Sequence, residues 1–137
     1  MRYLGSCHCE ALGVVYETVM APEAWPMRAC ECRFCRSHGA ATTSDPNGSL
    51  QLVCRDMPQL QRYRFGLGTA DFCVCRRCGV YLAAITVDGR FGILNTHALV
   101  DRGLPLVAPV TMSYDGETAA ARTERRAQRW TPVRPGT

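Results

Sequence analysis

The sequence predicts a mainly β protein, with several small antiparallel sheets and hairpins around two metal sites and one C-terminal helix. Three observations support this fold class. Short segments rich in Val, Leu and aromatic residues alternate with Gly, Pro and Asp turn signals as far as residue 95. Seven of the nine cysteines lie in closely spaced groups. Between residues 115 and 130 the composition changes to Ala, Arg, Glu and Gln, which favour helix.

The first half of the chain is predicted to contain one long strand and one hairpin. Residues 11–19 (ALGVVYETV) are typical of a strand, and the chain enters them from a Cys-His-Cys triplet. The turn signal Asp45-Pro46-Asn47-Gly48 separates two short segments within residues 40–54, which predicts a hairpin. Its second strand would place Leu50, Leu52 and Cys54 on one face, because side chains alternate along a strand.

The second half contains the clearest hairpin. Short strands are expected at residues 60–65 and 71–75, divided by glycines. Residues 80–87 and 90–95 would then pair through Asp88-Gly89, a dipeptide that suits the positive φ angles of a type I′ turn.

The C-terminal helix is predicted at about residues 115–130, with Asp115 as its N-cap and Pro132 just beyond its end. Helical spacing would turn Ala119, Thr123, Ala127 and Trp130 inward. The arginines of this segment would then form a solvated outer face; they are Arg122, Arg125, Arg126 and Arg129. The following PVRPGT segment is expected to be frayed.

Length and composition indicate a single domain over residues 1–137. The chain is 47% hydrophobic, yet no apolar run approaches the roughly 20 residues of a membrane helix, so no membrane partner is expected. The first residues, MRYLGSCHCE, contain no apolar secretion signal, and we therefore expect a cytoplasmic protein. The sequence carries no information on oligomeric state.

The charge pattern excludes several functions. All sixteen basic residues are arginine, so Schiff-base chemistry, pyridoxal phosphate attachment and a P-loop, which all need lysine, are excluded. The formal net charge is +4. Seven thiolates that hold two Zn²⁺ would lower it to about +1, so charge gives no reason to expect a nucleic acid partner.

Three cysteine groups have the spacing of metal ligands rather than of disulfides. Cys7 and Cys9 form a CxC pair, Cys75 and Cys78 form a CxxC pair before Gly79, and a CxCxxC trio consists of Cys30, Cys32 and Cys35. Structural zinc is nearly always held by four ligands, whereas catalytic zinc commonly keeps three protein ligands and one open position. The two pairs would close one site, and the trio would leave an open one. In the rival partition Cys54 or Cys73 closes the trio, and His38 could do so through its CxxH spacing.

The cysteine groups carry a family resemblance. GSCHC at residues 5–9, CECRFCRSHG at 30–39 and CRRCG at 75–79 stand in that order, with weaker agreement at LQRYRF, NTHALVD and RRAQRWTPV. In these motifs the chain resembles the glutathione-dependent formaldehyde-activating enzyme family, also called the centromere protein V type zinc domain. The resemblance covers nearly the whole chain. Two departures are Glu10, where the family usually has Gly, and His38, where small residues are more usual.

The resemblance implies a fold similar to zinc-binding Rab accessory proteins, with two zinc ions per chain. Cys7, Cys9, Cys75 and Cys78 would hold the structural zinc, and Cys30, Cys32 and Cys35 the catalytic one. It also implies a carbon-sulfur lyase or adduct-forming enzyme, similar to S-(hydroxymethyl)glutathione synthase, that acts on a small thiol such as glutathione and a small aldehyde such as formaldehyde.

Side chains near the trio supply the remaining expectations. Glu31 or His38 would move the proton, so His38 joins the trio as a candidate catalytic residue, and Arg33 and Arg36 would bind a substrate carboxylate. The alternative function is a non-catalytic, zinc-stabilised binding module for a protein or nucleic acid partner. That module would have a closed second site.

Overall fold

The protein is mainly β, as predicted. The computed structural model describes residues 1–136, and in this range it has eleven strands and two α-helices. The strands are β1 Arg2–Ser6, β2 Leu12–Glu17, β3 Arg28–Cys30, β4 Thr42–Thr43, β5 Ser49–Cys54, β6 Leu60–Tyr63, β7 Ala70–Cys75, β8 Tyr81–Thr86, β9 Phe91–Asn95, β10 Val110–Met112 and β11 Thr131–Arg134. The α-helices are α1 Arg33–His38 and α2 Ala119–Arg129. Three 3-10 turns lie at Pro22–Ala24, Met57–Gln59 and Thr96–Ala98. No helix within residues 1–136 is long and apolar enough to cross a membrane.

The strands join into one continuous hydrogen-bonded network. Its main path runs β1-β2-β5-β11-β9-β4-β3-β10, and β8, β7 and β6 extend it from the other edge of β9. Most pairs are antiparallel, as expected, but β3 with β10 and β5 with β11 are parallel. Each parallel pair joins segments about 80 residues apart in sequence, so local turn signals could not predict these pairings.

The hairpin predicted at residues 80–95 is confirmed, but its turn differs from the prediction. β8 and β9 pair antiparallel, and the Gly89 N–H donates to the Thr86 carbonyl at 2.8 Å. Gly89 has φ 77°, whereas Asp88 has no positive φ, so the turn is not type I′. The Asp88 carboxylate accepts hydrogen bonds from the Thr86 hydroxyl and the Arg90 N–H, which lowers its pKa.

The hairpin predicted within residues 40–54 is wrong, although its turn forms. The Gly48 N–H donates to the Asp45 carbonyl at 2.9 Å, but β4 then pairs with β3 and β9, while β5 pairs with β2 and β11. Asp45 is buried and bonded to two distant segments, through Thr18 and Thr131. These contacts direct the two strands to different places in the sheet.

Helix α2 is shorter than predicted and faces the other way. Its N-cap is Thr118, whose hydroxyl accepts the Ala121 N–H at 3.1 Å, and not Asp115. Ala119, Thr123 and Ala127 are exposed, while Arg126 and Trp130 are buried. The arginine side of the helix therefore packs onto the protein. Of the segment predicted to be frayed, the part up to Arg134 belongs to strand β11, and Thr137 lies outside the described residues.

Two hydrophobic clusters form the core, and each supports one cysteine group. The larger one includes Tyr16, Trp25, Leu50 and Leu82, and two members of the cysteine pairs, Cys7 and Cys75, are part of it. The smaller one is built from seven buried side chains against which the rest of the trio packs; they are Cys35, Ala40, Ala70, Tyr81, Ala84, Ile93 and Trp130. Both cysteine groups therefore pack against the hydrophobic core, and this close packing restricts the conformations of their side chains.

Candidate metal centres

The structure brings the two cysteine pairs together into one cluster. The Sγ atoms of Cys7, Cys9, Cys75 and Cys78 all lie within 4.8 Å of one another. Cys9 Sγ is 3.7 Å from Cys7 Sγ and 3.5 Å from Cys75 Sγ. Sulfurs at about 2.3 Å from a tetrahedral zinc would stand about 3.8 Å apart, so this donor set fits a four-sulfur metal site.

Turns, rather than strand alternation, make these four side chains converge. Cys7 and Cys9 lie in the β1–β2 connection, and Cys75 ends β7 just before a turn closed by Gly79, which has φ 81°. The Leu12 N–H points at Cys7 Sγ (3.3 Å) and the Cys78 N–H at Cys75 Sγ (3.5 Å). Such N–H groups stabilise thiolates, the form in which cysteine binds metal.

Glu10 adopts an unusual backbone conformation beside this cluster. Its φ is 67°, and no other non-glycine residue in the range 1–136 has a positive φ. A side chain in the left-handed region is strained by roughly 1 kcal/mol or more, which glycine avoids. Glycine at position 10 would relieve this strain.

The trio forms a second group. The Sγ atoms of Cys30, Cys32 and Cys35 lie within 4.8 Å of one another. Cys30 ends β3, Cys32 is the N-cap of α1 and Cys35 is buried within that helix. The Cys35 N–H points at Cys32 Sγ (3.4 Å) and the Cys32 N–H at Cys30 Sγ (3.5 Å).

The environment divides the thiols of each group into easily and poorly ionised members. The hydrogen bond between Cys35 and Cys30 lowers the pKa of Cys30 to about 6 and raises that of Cys35. In the other group, burial raises the pKa of Cys7 to about 11, whereas the Ala11 N–H lowers that of Cys9. A metal must displace the remaining protons, so metal affinity should rise with pH.

None of the candidate fourth ligands joins the trio. Among residues 1–136, no further His, Cys, Asp or Glu ligand atom belongs to the group within 4.8 Å. Cys54 and Cys73 pack against or within the larger core cluster. His38 is exposed, and its ring lies against Phe34, with the centroids 4.5 Å apart. Within residues 1–136 the trio is therefore a group of three sulfur atoms.

Replacing His38 by alanine should therefore leave the metal content unchanged. The imidazole packs on Phe34 and Tyr81 and is not needed to hold a metal. Elemental analysis of purified H38A should give the wild-type zinc-to-protein ratio. A decrease by one zinc per chain would make His38 a ligand and the second site closed.

A cavity of about 240 Å³ adjoins the trio. All three cysteines line it, together with the aromatic rings of Phe65, Phe72, Tyr81, Tyr114 and Trp130. Burial, and next the charge of Cys35, raises the pKa of Tyr81 well above its usual value, so this phenol remains protonated. The site combines three sulfur atoms with a partly open cavity whose wall carries both aromatic and charged side chains.

Four arginines missed by the sequence reasoning also line this cavity. They are Arg28, Arg122, Arg125 and Arg126, three of which come from the helix face predicted to be solvated. Arg33 and Arg36, predicted to bind a carboxylate, are exposed and are not among the lining residues. Of the two residues predicted to move a proton, Glu31 lines the cavity, while His38 does not. The helix sequence AAARTERRAQR contains no large apolar residue, so it carries no signal of which side is covered.

The comparisons with known proteins show a structural likeness but no family. No protein-family model and no curated protein matches the chain. Among solved structures, the crystal structure of a Rhodobacter sphaeroides protein from a structural genomics programme matches with a TM-score of 0.60. The two chains are 27% identical, and the match covers 80% of this chain and 99% of that one. The two proteins share a fold.

Proposed function

We propose that the protein is a zinc-dependent carbon-sulfur lyase or adduct-forming enzyme that joins a small thiol to a small aldehyde. The observation that carries this proposal is the three-sulfur group that lines a cavity of about 240 Å³. Zinc held by three thiolates ionises water poorly but accepts a substrate thiol as its fourth ligand and lowers the pKa of that thiol. A glutathione-like thiol and formaldehyde are the proposed substrates, and the reducing cytoplasm is the proposed setting.

The reaction needs no oxidant or reductant. When a thiol adds to an aldehyde, an S–C bond forms, the π bond of the carbonyl breaks and its electron pair moves to oxygen. The thiol proton ends on that oxygen, giving a hydroxyalkyl thioether. The reverse reaction is the lyase direction.

The chain's own residues have clear tasks in this reaction. The carboxylate of Glu31 lines the cavity beside Cys30 and Cys32, so it is the proposed carrier of the proton. Tyr81 keeps its proton and lines the same space, so it can donate a hydrogen bond to the developing alkoxide. Phe65 and Phe72 line the same cavity, and their apolar rings would disfavour water beside the reacting atoms.

The binding-module alternative is less well supported. It requires a closed second site, and no fourth ligand atom joins the trio within residues 1–136. A closed site would also gain nothing from a cavity at its sulfur atoms. The open geometry favours an enzyme.

Thiol binding can be tested on protein in which cobalt replaces zinc. Sulfur-to-cobalt charge-transfer absorption grows with each added thiolate, so glutathione should raise these bands. S-methylglutathione is the matched control, and it should have little effect because it has no ionisable sulfur. Unchanged bands at neutral pH with millimolar glutathione, cysteine and 2-mercaptoethanol would rule out thiol activation at this site.

A further inference from the structure

Arg126 is a buried cation without an anionic partner. Its side chain lies at the wall of the cavity beside the trio, and the residue is only 7% exposed. Nη1 donates to Thr69 Oγ1 at 2.7 Å, while the buried Nε has no hydrogen-bond partner in the described part of the chain. The guanidinium lies over the Trp130 ring, 4.4 Å from its centroid, which holds its plane in place.

Arg28 presents a second cation of this kind on the same cavity. It is half-buried, and its Nη1 donates to Ser44 Oγ at 3.0 Å. Neither Arg28 nor Arg126 has a carboxylate within ion-pair distance among residues 1–136. Burying a guanidinium without a counter-charge costs free energy, because it loses water and gains no anion.

The two neighbouring arginines of the cavity, unlike Arg28 and Arg126, do have a carboxylate partner. Arg122 and Arg125 line the same cavity, yet both donate to the Glu117 carboxylate through Nε at 2.8 Å. Burial, and next the positive charges of Arg125 and Arg122, lowers the pKa of Arg126 to about 10. Arg126 is therefore still charged at neutral pH. Two exposed carboxylates, Glu31 and Asp115, also line the cavity but pair with neither free arginine.

We propose that Arg126 and Arg28 form a carboxylate-binding subsite that selects a small substrate carrying both this anion and the group that reacts at the trio. The identity of the reacting group rests on the proposed function. The binding of a carboxylate rests only on the two arginines. A planar guanidinium binds a carboxylate through two parallel hydrogen bonds, which fixes orientation as well as charge. The two arginines are specificity-determining residues for this reaction.

The cavity volume limits the size of the substrate. At about 240 Å³ it is smaller than the roughly 300–1,000 Å³ typical of sites for drug-sized ligands. A short mercaptocarboxylate fits wholly within this volume, whereas a tripeptide such as glutathione would place its thiol there and leave its outer residues in solvent. An aldehyde acid such as glyoxylate presents the same carboxylate on the other substrate.

The subsite can be tested by calorimetry on the zinc-loaded protein with three probes of matched size. They are 3-mercaptopropionate, with thiol and carboxylate, propionate, with carboxylate only, and 2-mercaptoethanol, with thiol only. The variants are Arg126→Met and Arg28→Met, and Arg129→Met is the control because it lies on the same helix but does not line the cavity. Circular dichroism and zinc content establish that each variant is folded and loaded.

We expect R126M to bind 3-mercaptopropionate at least about tenfold more weakly, since a hydrogen-bonded charge pair is lost. Propionate binding should disappear, 2-mercaptoethanol binding should not change, and R129M should equal the wild type. R28M should show the same pattern with a smaller effect, and it serves as the test if R126M does not fold.

The outcomes separate the subsite from the proposed function. If propionate binds the wild type and R126M equally, or binds neither, the subsite is wrong. If propionate binding depends on Arg126 but no thiol binds, the subsite stands and the thiol chemistry fails. If R126M lowers turnover of glyoxylate but not binding of 3-mercaptopropionate, the carboxylate belongs to the aldehyde.

Discussion

Cys75→Ser is expected to abolish the folded state. Cys75 joins the β7 end to the β1–β2 connection across 66 residues of sequence, so metal bound there contributes directly to the free energy of unfolding. A structural zinc contributes about 10–16 kcal/mol in peptides, whereas whole domains have a stability of about 5–15 kcal/mol. Removing one of four ligands therefore threatens the entire fold. Circular dichroism and gel filtration should show unfolded or aggregated protein.

The matched control is Cys54→Ser. Cys54 is a half-buried thiol in β5 that belongs to neither metal group. This variant should fold and retain two zinc ions per chain. A folded C75S protein with two zinc ions would contradict the structural role of the four-sulfur cluster. Loss of one zinc from C54S would contradict the assignment of the cysteines to the two metal groups.

Cys30→Ser should instead give a folded protein that lacks the second metal and the thiol chemistry. Cys30 ends a three-residue strand beside the cavity, and its side chain is only half-buried, so the core does not depend on it. Two remaining sulfurs cannot hold zinc firmly. We expect about one zinc per chain, a melting temperature within a few degrees of the wild type, and adduct formation at the uncatalysed rate.

Comparison of the two serine variants tests the division of roles. Cobalt-loaded C30S should show the charge-transfer bands of the four-sulfur site alone, and glutathione should not change them. Equal destabilisation of C30S and C75S would mean that both metals are structural. Full turnover by C30S would place the reaction elsewhere.

The cysteine groups could be predicted from the sequence because their ligands are close in sequence and few residue types serve as ligands. The spacings of Cys7 with Cys9 and of Cys75 with Cys78 predicted one four-sulfur cluster, and the structure confirms that these sulfurs meet. The 80–95 hairpin was predictable for a similar reason, since both strands and their turn are local.

Features that depend on distant contacts could not be predicted. The orientation of α2 depends on Glu117 and on Arg126 over Trp130, none of which creates a hydrophobic stripe. The strands on either side of Asp45 diverge because Thr18 and Thr131, from other segments, bind that residue. The arginine subsite was missed for the same reason: arginine on a helix is usually solvated, and only the tertiary contacts of α2 bury it.

Strand β11 determines when the domain can be completed during synthesis. Residues 131–134 lie between β5 and β9, pairing parallel with one and antiparallel with the other. Until these residues leave the ribosome, both neighbours keep an unpaired edge that could join another chain. Cys7, Cys9, Cys75 and Cys78 have all emerged about fifty residues earlier, so this four-sulfur cluster would be able to bind a metal ion in a nascent chain whose sheet is still open. Metal supply during translation would then limit the yield of native protein, since an ion-free intermediate exposes these edges for longer.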